Sequence, residues 1–132
     1  MIPLASAQEI EVIAGTTPDS PFWGLDRAVE SIRLSFTSNV EKKAELMMMF
    51  AEERMLEARQ MIQKQKEDLA EKALEQQEVL IQRLTEIKQQ QTQLREEFRT
   101  QISTRLKEFS EDRNRVEVTI NNRRQLASLG IE

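Results

Sequence analysis

The chain has 132 residues, of which 32% are charged, 39% apolar and 5% aromatic, and its net charge is −4. It has no Cys and no His, which removes disulfides, thiolate nucleophiles, imidazole bases, the usual zinc sites and the Glu-x-x-His di-iron site of helical bundles. This charge-rich, aromatic-poor balance favours long solvated helices over a mixed compact fold.

Residues 1–17 read as an extended lead-in, with Glu9 to Ala14 the only hint of local order. Within it, Ala5-Ser6-Ala7 has the small-x-small form that precedes signal-peptide cleavage, and it reads equally well as an ordinary N-terminus. All three Pro, with Gly15 and Gly24, fall in the first 24 residues. Leu25 to Leu129 therefore holds no strong helix breaker and reads as helix almost throughout.

Pro18-Asp19-Ser20-Pro21 predicts the start of a first helix, with Ser20 as its cap and Pro21 at the first helical position. Phe22, Leu25, Val29, Ile32 and Phe36 follow at alternating spacings of three and four, which makes one apolar face directed at the core, with Asp26, Arg27, Glu30 and Arg33 off it and expected in water. Phe22 and Trp23 are adjacent and cannot both face that seam, so one of them is expected at its edge, packed or presented as an anchor for a partner. Ser38 with Glu41 predicts a capping box and a second helix. Its seam is Val40, Ala44, Met47, Ala51, Met55, Ala58 and Ile62, and the short linker makes helices one and two antiparallel neighbours.

Gln63 to Glu67 has no apolar residue, and Asp68 with Glu71 forms another cap-like pair. A turn near residues 64–68 and a third helix from Leu69 are expected, with Leu69, Ala73, Leu80, Leu84, Ile87, Leu94, Phe98, Ile102, Leu106 and Phe109 along its seam. The competing reading is one unbroken helix from 39 to 109, about 105 Å long, burying its seam against another chain. Gln89 to Gln93 interrupts the pattern as a solvated stretch or a second bend, and Ser110 to Asn114 reads as a polar break before a short last helix ended by Gly130. The fold class is all-α: an antiparallel helical hairpin or small bundle with a long coiled-coil-like helix. The pattern divides the chain into the lead-in 1–17, a hairpin domain 18–88 and a helical extension 89–132.

Charge is uneven, with 9 basic and 15 acidic groups in residues 1–81 against 10 and 7 in residues 82–124. Acids interleave with the bases of the second stretch, so no nucleic-acid partner is expected. The longest apolar run, Leu46 to Ala51, is far too short for a membrane span.

The block Thr17-Pro-Asp-Ser-Pro-Phe-Trp-Gly-Leu-Asp-Arg-Ala-Val-Glu-Ser-Ile-Arg-Leu-Ser-Phe36, with Val40-Glu-Lys-Lys-Ala-Glu-Leu46 and Phe50-Ala-Glu-Glu-Arg54, resembles an uncharacterised domain family found in exported proteins of bacteria and archaea. The likeness is good from about Thr17 to Met61 and fades by about Ile87. It implies export to the periplasm, cell surface or medium, a helical hairpin opening at the Pro-Asp-Ser-Pro cap, and no known enzymatic activity.

Two chemistries stand beside this reading. Met47, Met48, Met49, Met55 and Met61 are core or groove filling, or a soft cuprous site in which Met48 and Met55 share a face. The acid pairs Glu52-Glu53 and Glu96-Glu97 are expected to be solvated, with nothing beside them to shift their pKa values. The expected function is a non-enzymatic, cofactor-free extracytoplasmic interaction or structural module. It would bind itself or another protein through an apolar seam: Leu94, Phe98, Ile102, Leu106 and Phe109. The alternative is an extracytoplasmic metal-binding, stress-sensing or chaperone-like protein using its Met-rich face.

Overall fold

A computed structural model of the chain describes residues 17–92 and 94–130. The Ala5-Ser6-Ala7 segment and the local order expected at Glu9 to Ala14 lie outside them, as does Gln93. The described residues form four helices and no strand: α1 Trp23–Ser35, α2 Val40–Gln63, α3 Glu67–Gln90 and α4 Glu96–Ser128. The all-α expectation holds, in the form of a small bundle.

The chain folds back at Lys64 to Lys66, so the straight rod is not what forms. Lys66 N–H donates to the carbonyl of Met61 and Gln65 N–H to that of Ile62, with Gln65 at φ 60°. This double closure with a left-handed residue ends α2 and sends α3 back along it. The α2 seam is buried as expected, with Ala44, Ala51 and Ala58 at 0% exposure. Their small side chains let α3 pack closely, and Ala70, Ala73, Leu74, Leu80 and Leu84 answer from the other helix.

The third helix does not extend as an arm. It ends at Gln90, and the chain turns and returns as α4. Arg99 closes this turn, donating to the carbonyls of Lys88 and of Gln91, the latter at 2.7 Å. Carbonyls left over at a helix C-terminus thus gain a cationic donor. No break occurs at Ser110 to Asn114, because α4 runs 33 residues through it. Gly130, at φ 78°, follows its end.

Cap residues are shifted from their expected places. Ser20 Oγ accepts the Phe22 amide at 3.1 Å, but the helix begins only at Trp23 and Pro21 lies in the preceding turn. Asn39, not Ser38, caps α2, its side-chain oxygen accepting the Lys42 amide at 2.9 Å. Glu41 instead accepts from Arg95 at 3.0 and 2.9 Å. Asp68 lies inside the first turn of α3 and accepts from Arg124 at 2.6 Å. Asn39 thus takes the place expected for Ser38, and arginines from beyond the hairpin engage Glu41 and Asp68.

Candidate interaction surface

The seam expected to bind a partner is occupied within the chain. Leu94 (9% exposed), Phe98 (3%), Ile102 (0%) and Phe109 (3%) are buried, and Leu106 is partly buried against them. They join Leu34, Met47, Phe50, Leu80 and Leu84 in one cluster. Met48 falls in that cluster and Met55 in a second one with Ala58, Met61, Ala73 and Ile120, both closely packed.

The surface that stays open is on α1 and its two capping residues, Phe22 and Phe36, and it is the stripe expected to face inward. Phe22 is 62% exposed, Leu25 61%, Val29 48%, Ile32 54% and Phe36 85%. At 100° per residue these five positions fall within an arc of about 80°. α1 is docked the other way round, with Trp23 and Leu34 buried and its charged side turned toward α2.

The cause is a buried charge cluster. The side chain of Arg54 on α2 is 1% exposed. It donates to both oxygens of Glu57 at 2.7 and 2.8 Å, and to both oxygens of Glu30 on α1 at 2.7 and 3.3 Å. Trp23 Nε1 donates to Glu57 at 2.9 Å, and Arg27 donates to Glu30 at 2.9 and 3.1 Å and to Glu57 at 3.4 Å. Arg33 places its guanidinium 5.7 Å from the centre of the Phe50 ring. Running up α1 the contacts run down α2, so the two helices are antiparallel, as expected. A guanidinium this deeply buried requires carboxylates on two sides. α2 supplies one and α1 supplies the other, which forces the polar face of α1 inward.

Acids outnumber bases here, and Glu53 shows it. Burial, then the charge of Glu30, push its pKa up from 4.5 to about 7, against the pull of Arg54. Asp26 is also raised, by burial first, and its Oδ2 has no hydrogen-bond partner among the described residues. The expectation of a solvated Glu52-Glu53 pair is therefore corrected for Glu53. Glu52 is exposed and pairs with Arg105 at 2.9 Å, and Glu97 remains exposed.

The entry to α1 is pinned at its other end. Thr17, itself buried, donates its hydroxyl to Asp19, whose carboxylate also accepts Lys64 at 3.0 Å and Lys66 at 2.9 Å. The Thr17 hydroxyl and the two ammonium groups hold the Asp19 carboxyl well below the usual carboxylate range. The Thr-Pro-Asp-Ser-Pro block thus ties the start of α1 to the α2–α3 turn.

Five arginines of the basic stretch pair with acids of the hairpin. On α4, Arg95 pairs with Glu41, Arg105 with Glu52, Arg113 with Glu78, Arg123 with Glu67, and Arg124 with Asp68 and Glu71. No helix among the described residues is long and apolar enough to cross a membrane.

Comparison with known families places this arrangement. The family described as a domain of unknown function, DUF5667, matches residues 15–123, so the chain belongs to it. The match runs through α3 and most of α4, well past Ile87, where the likeness in sequence fades. No curated protein and no solved structure matches the chain.

Proposed function

With membership of that family as the premise, we propose that the chain is a non-enzymatic helical interaction module of the extracytoplasmic space, and that it binds protein through the outward face of α1. The observation that carries this reading is the inverted helix. Five large apolar side chains in one stripe face solvent while the charges of the same helix are buried. Single exposed apolar residues, such as Val79 at 52% or Val118 at 57%, are ordinary on any surface. A contiguous stripe is not, because its exposure to water costs free energy that only a partner recovers. The extracytoplasmic part rests on the Thr17 to Phe36 block and its likeness to exported proteins.

Replacing Val29 with a photo-crosslinking amino acid in the full chain, in its own cells, tests the surface. Irradiation should give protein adducts at this position and none at Val79. Equal labelling at both positions, or none at either, rejects the reading. Fusion to a phosphatase that is active only outside the cytoplasm tests the compartment, and an inactive fusion rejects that part alone.

A further inference from the structure

We propose that the partner seated on α1 is a second copy of this chain, the two α1 helices packing antiparallel about a two-fold axis at Val29. This rests on the outward face of α1 being a protein-binding surface and names its occupant.

The stripe is close to symmetric about its middle. Phe22 and Phe36 each stand seven residues from Val29, and Leu25 and Ile32 lie between. Antiparallel pairing therefore sets Phe22 against Phe36 of the other copy, meshes Leu25 with Ile32 and brings Val29 against itself. A two-fold contact, in which residue i meets j and j meets i, accommodates such a stripe with like side chains matched along its whole length. Spacings of three and four are also the seam of paired helices.

Charge agrees with this register. One flank of the stripe carries Arg33 and Asp26, and antiparallel pairing brings like flanks together. Arg33 then lies within one residue of the level of Asp26 of the other copy, at two symmetry-related places. The other flank carries Gly24, Ala28, Ser31 and Ser35.

Area agrees too. At their observed exposures the five side chains present on the order of 600 Å² of apolar surface. Mutual pairing buries at most about twice that, roughly 1,200 Å², which reaches the lower end of the range for a stable protein interface. A membrane surface fits less well. Helices that lie on bilayers keep a basic polar face in water, but here the polar face is buried against α2, and the chain carries a net charge of −4.

Sedimentation of the full chain over a range of concentrations is the first measurement. A reversible dimer is expected, with Leu25→Glu or Ile32→Glu raising its dissociation constant about a hundredfold or more. The absence of Cys makes single-cysteine cross-linking specific. With a short bis-maleimide, Val29→Cys should link to itself, and a mixture of Phe22→Cys and Phe36→Cys should link mainly to each other.

A monomer at every concentration overturns the proposal, as does a dimer that survives both glutamates. Phe22→Cys linking mainly to itself overturns the antiparallel arrangement. A monomer in which Val29→Cys resists small thiol reagents assigns the face to the chain's own N-terminal segment. Loss of the dimer in favour of co-sedimentation with phosphatidylcholine–phosphatidylglycerol vesicles assigns it to lipid. Either result overturns the pairing. A purified monomer whose Val29 still cross-links to a different protein in cells overturns the self-pairing and leaves the proposed function standing.

Discussion

Arg54 shows how one side chain decides the orientation of a helix. Its guanidinium is buried with two carboxylates from different elements, and removing it leaves Glu30 and Glu57 facing each other out of water. Arg54→Leu should cost about 3 to 5 kcal/mol in urea unfolding, since breaking a buried ionic cluster costs more than the cluster contributes. Glu53 makes a gentler prediction. A carboxyl whose folded pKa lies above its ordinary 4.5, at about 7, holds its proton more tightly folded than unfolded. Stability should therefore fall as pH rises from about 4.5 to about 7 and then level off. Solvent at the open edge of Glu53 reduces the effect to about 1 to 2 kcal/mol. Glu53→Gln should flatten this slope and raise the urea midpoint above pH 7. None of this was legible along the chain. Arg54 and Glu57 sit beside an apolar seam in a charged run, and only the approach of Glu30 and Trp23 from another helix buries them.

At the scale of elements, periodicity carried α2 and α3 well, because each buries the stripe its spacing marks out. The same logic misplaced α1. Threes and fours show which residues share a face but not what that face meets, and the cluster at Arg54 outweighed the stripe. Capping residues located helix starts to within a few positions, as expected where several Ser, Asn and Asp compete for the same amides. The turn between α2 and α3 was legible from its lack of apolar residues, though not its closing residue. Gln65 adopts φ 60°, a conformation in which a Cβ is strained. Gln65→Gly should relieve that strain and stabilise the hairpin by roughly 0.5 to 1 kcal/mol, measured as a rise in Tm.

The whole molecule is a three-helix bundle with α1 laid against α2. Arg95, Arg105, Arg113, Arg123 and Arg124, at the start of α4 and along it, pair with carboxylates of the α2–α3 hairpin, so part of the charge asymmetry visible in the sequence finds its partner within the chain. Two apolar stripes of similar spacing thereby have opposite fates. The one ending in Phe98, Ile102 and Phe109 is core, and the one through Leu25, Val29 and Ile32 is surface. Sequence alone ranked the first as the binding seam, since the polar run Gln89 to Gln93 left a bend and a solvated stretch both open and nothing local told that α4 would return over the hairpin.

Paired substitutions separate the two stripes without any partner. Ile102 is 0% exposed, so Ile102→Ala leaves a cavity in the cluster shared by α2, α3 and α4 and should cost about 2 to 5 kcal/mol. Leu25 is 61% exposed, so Leu25→Ser should change the stability of the monomer by no more than about 0.5 kcal/mol. Both are read at protein concentrations low enough that self-association plays no part. Urea unfolding followed by the single Trp23, buried where α1 meets α2, reports α1 docking, and helical circular dichroism reports the bundle. Equal losses for the two variants would mean that α1 buries its apolar stripe after all. A loss confined to Ile102→Ala places the free energy of folding in the α2–α4 bundle and leaves the α1 face available for binding.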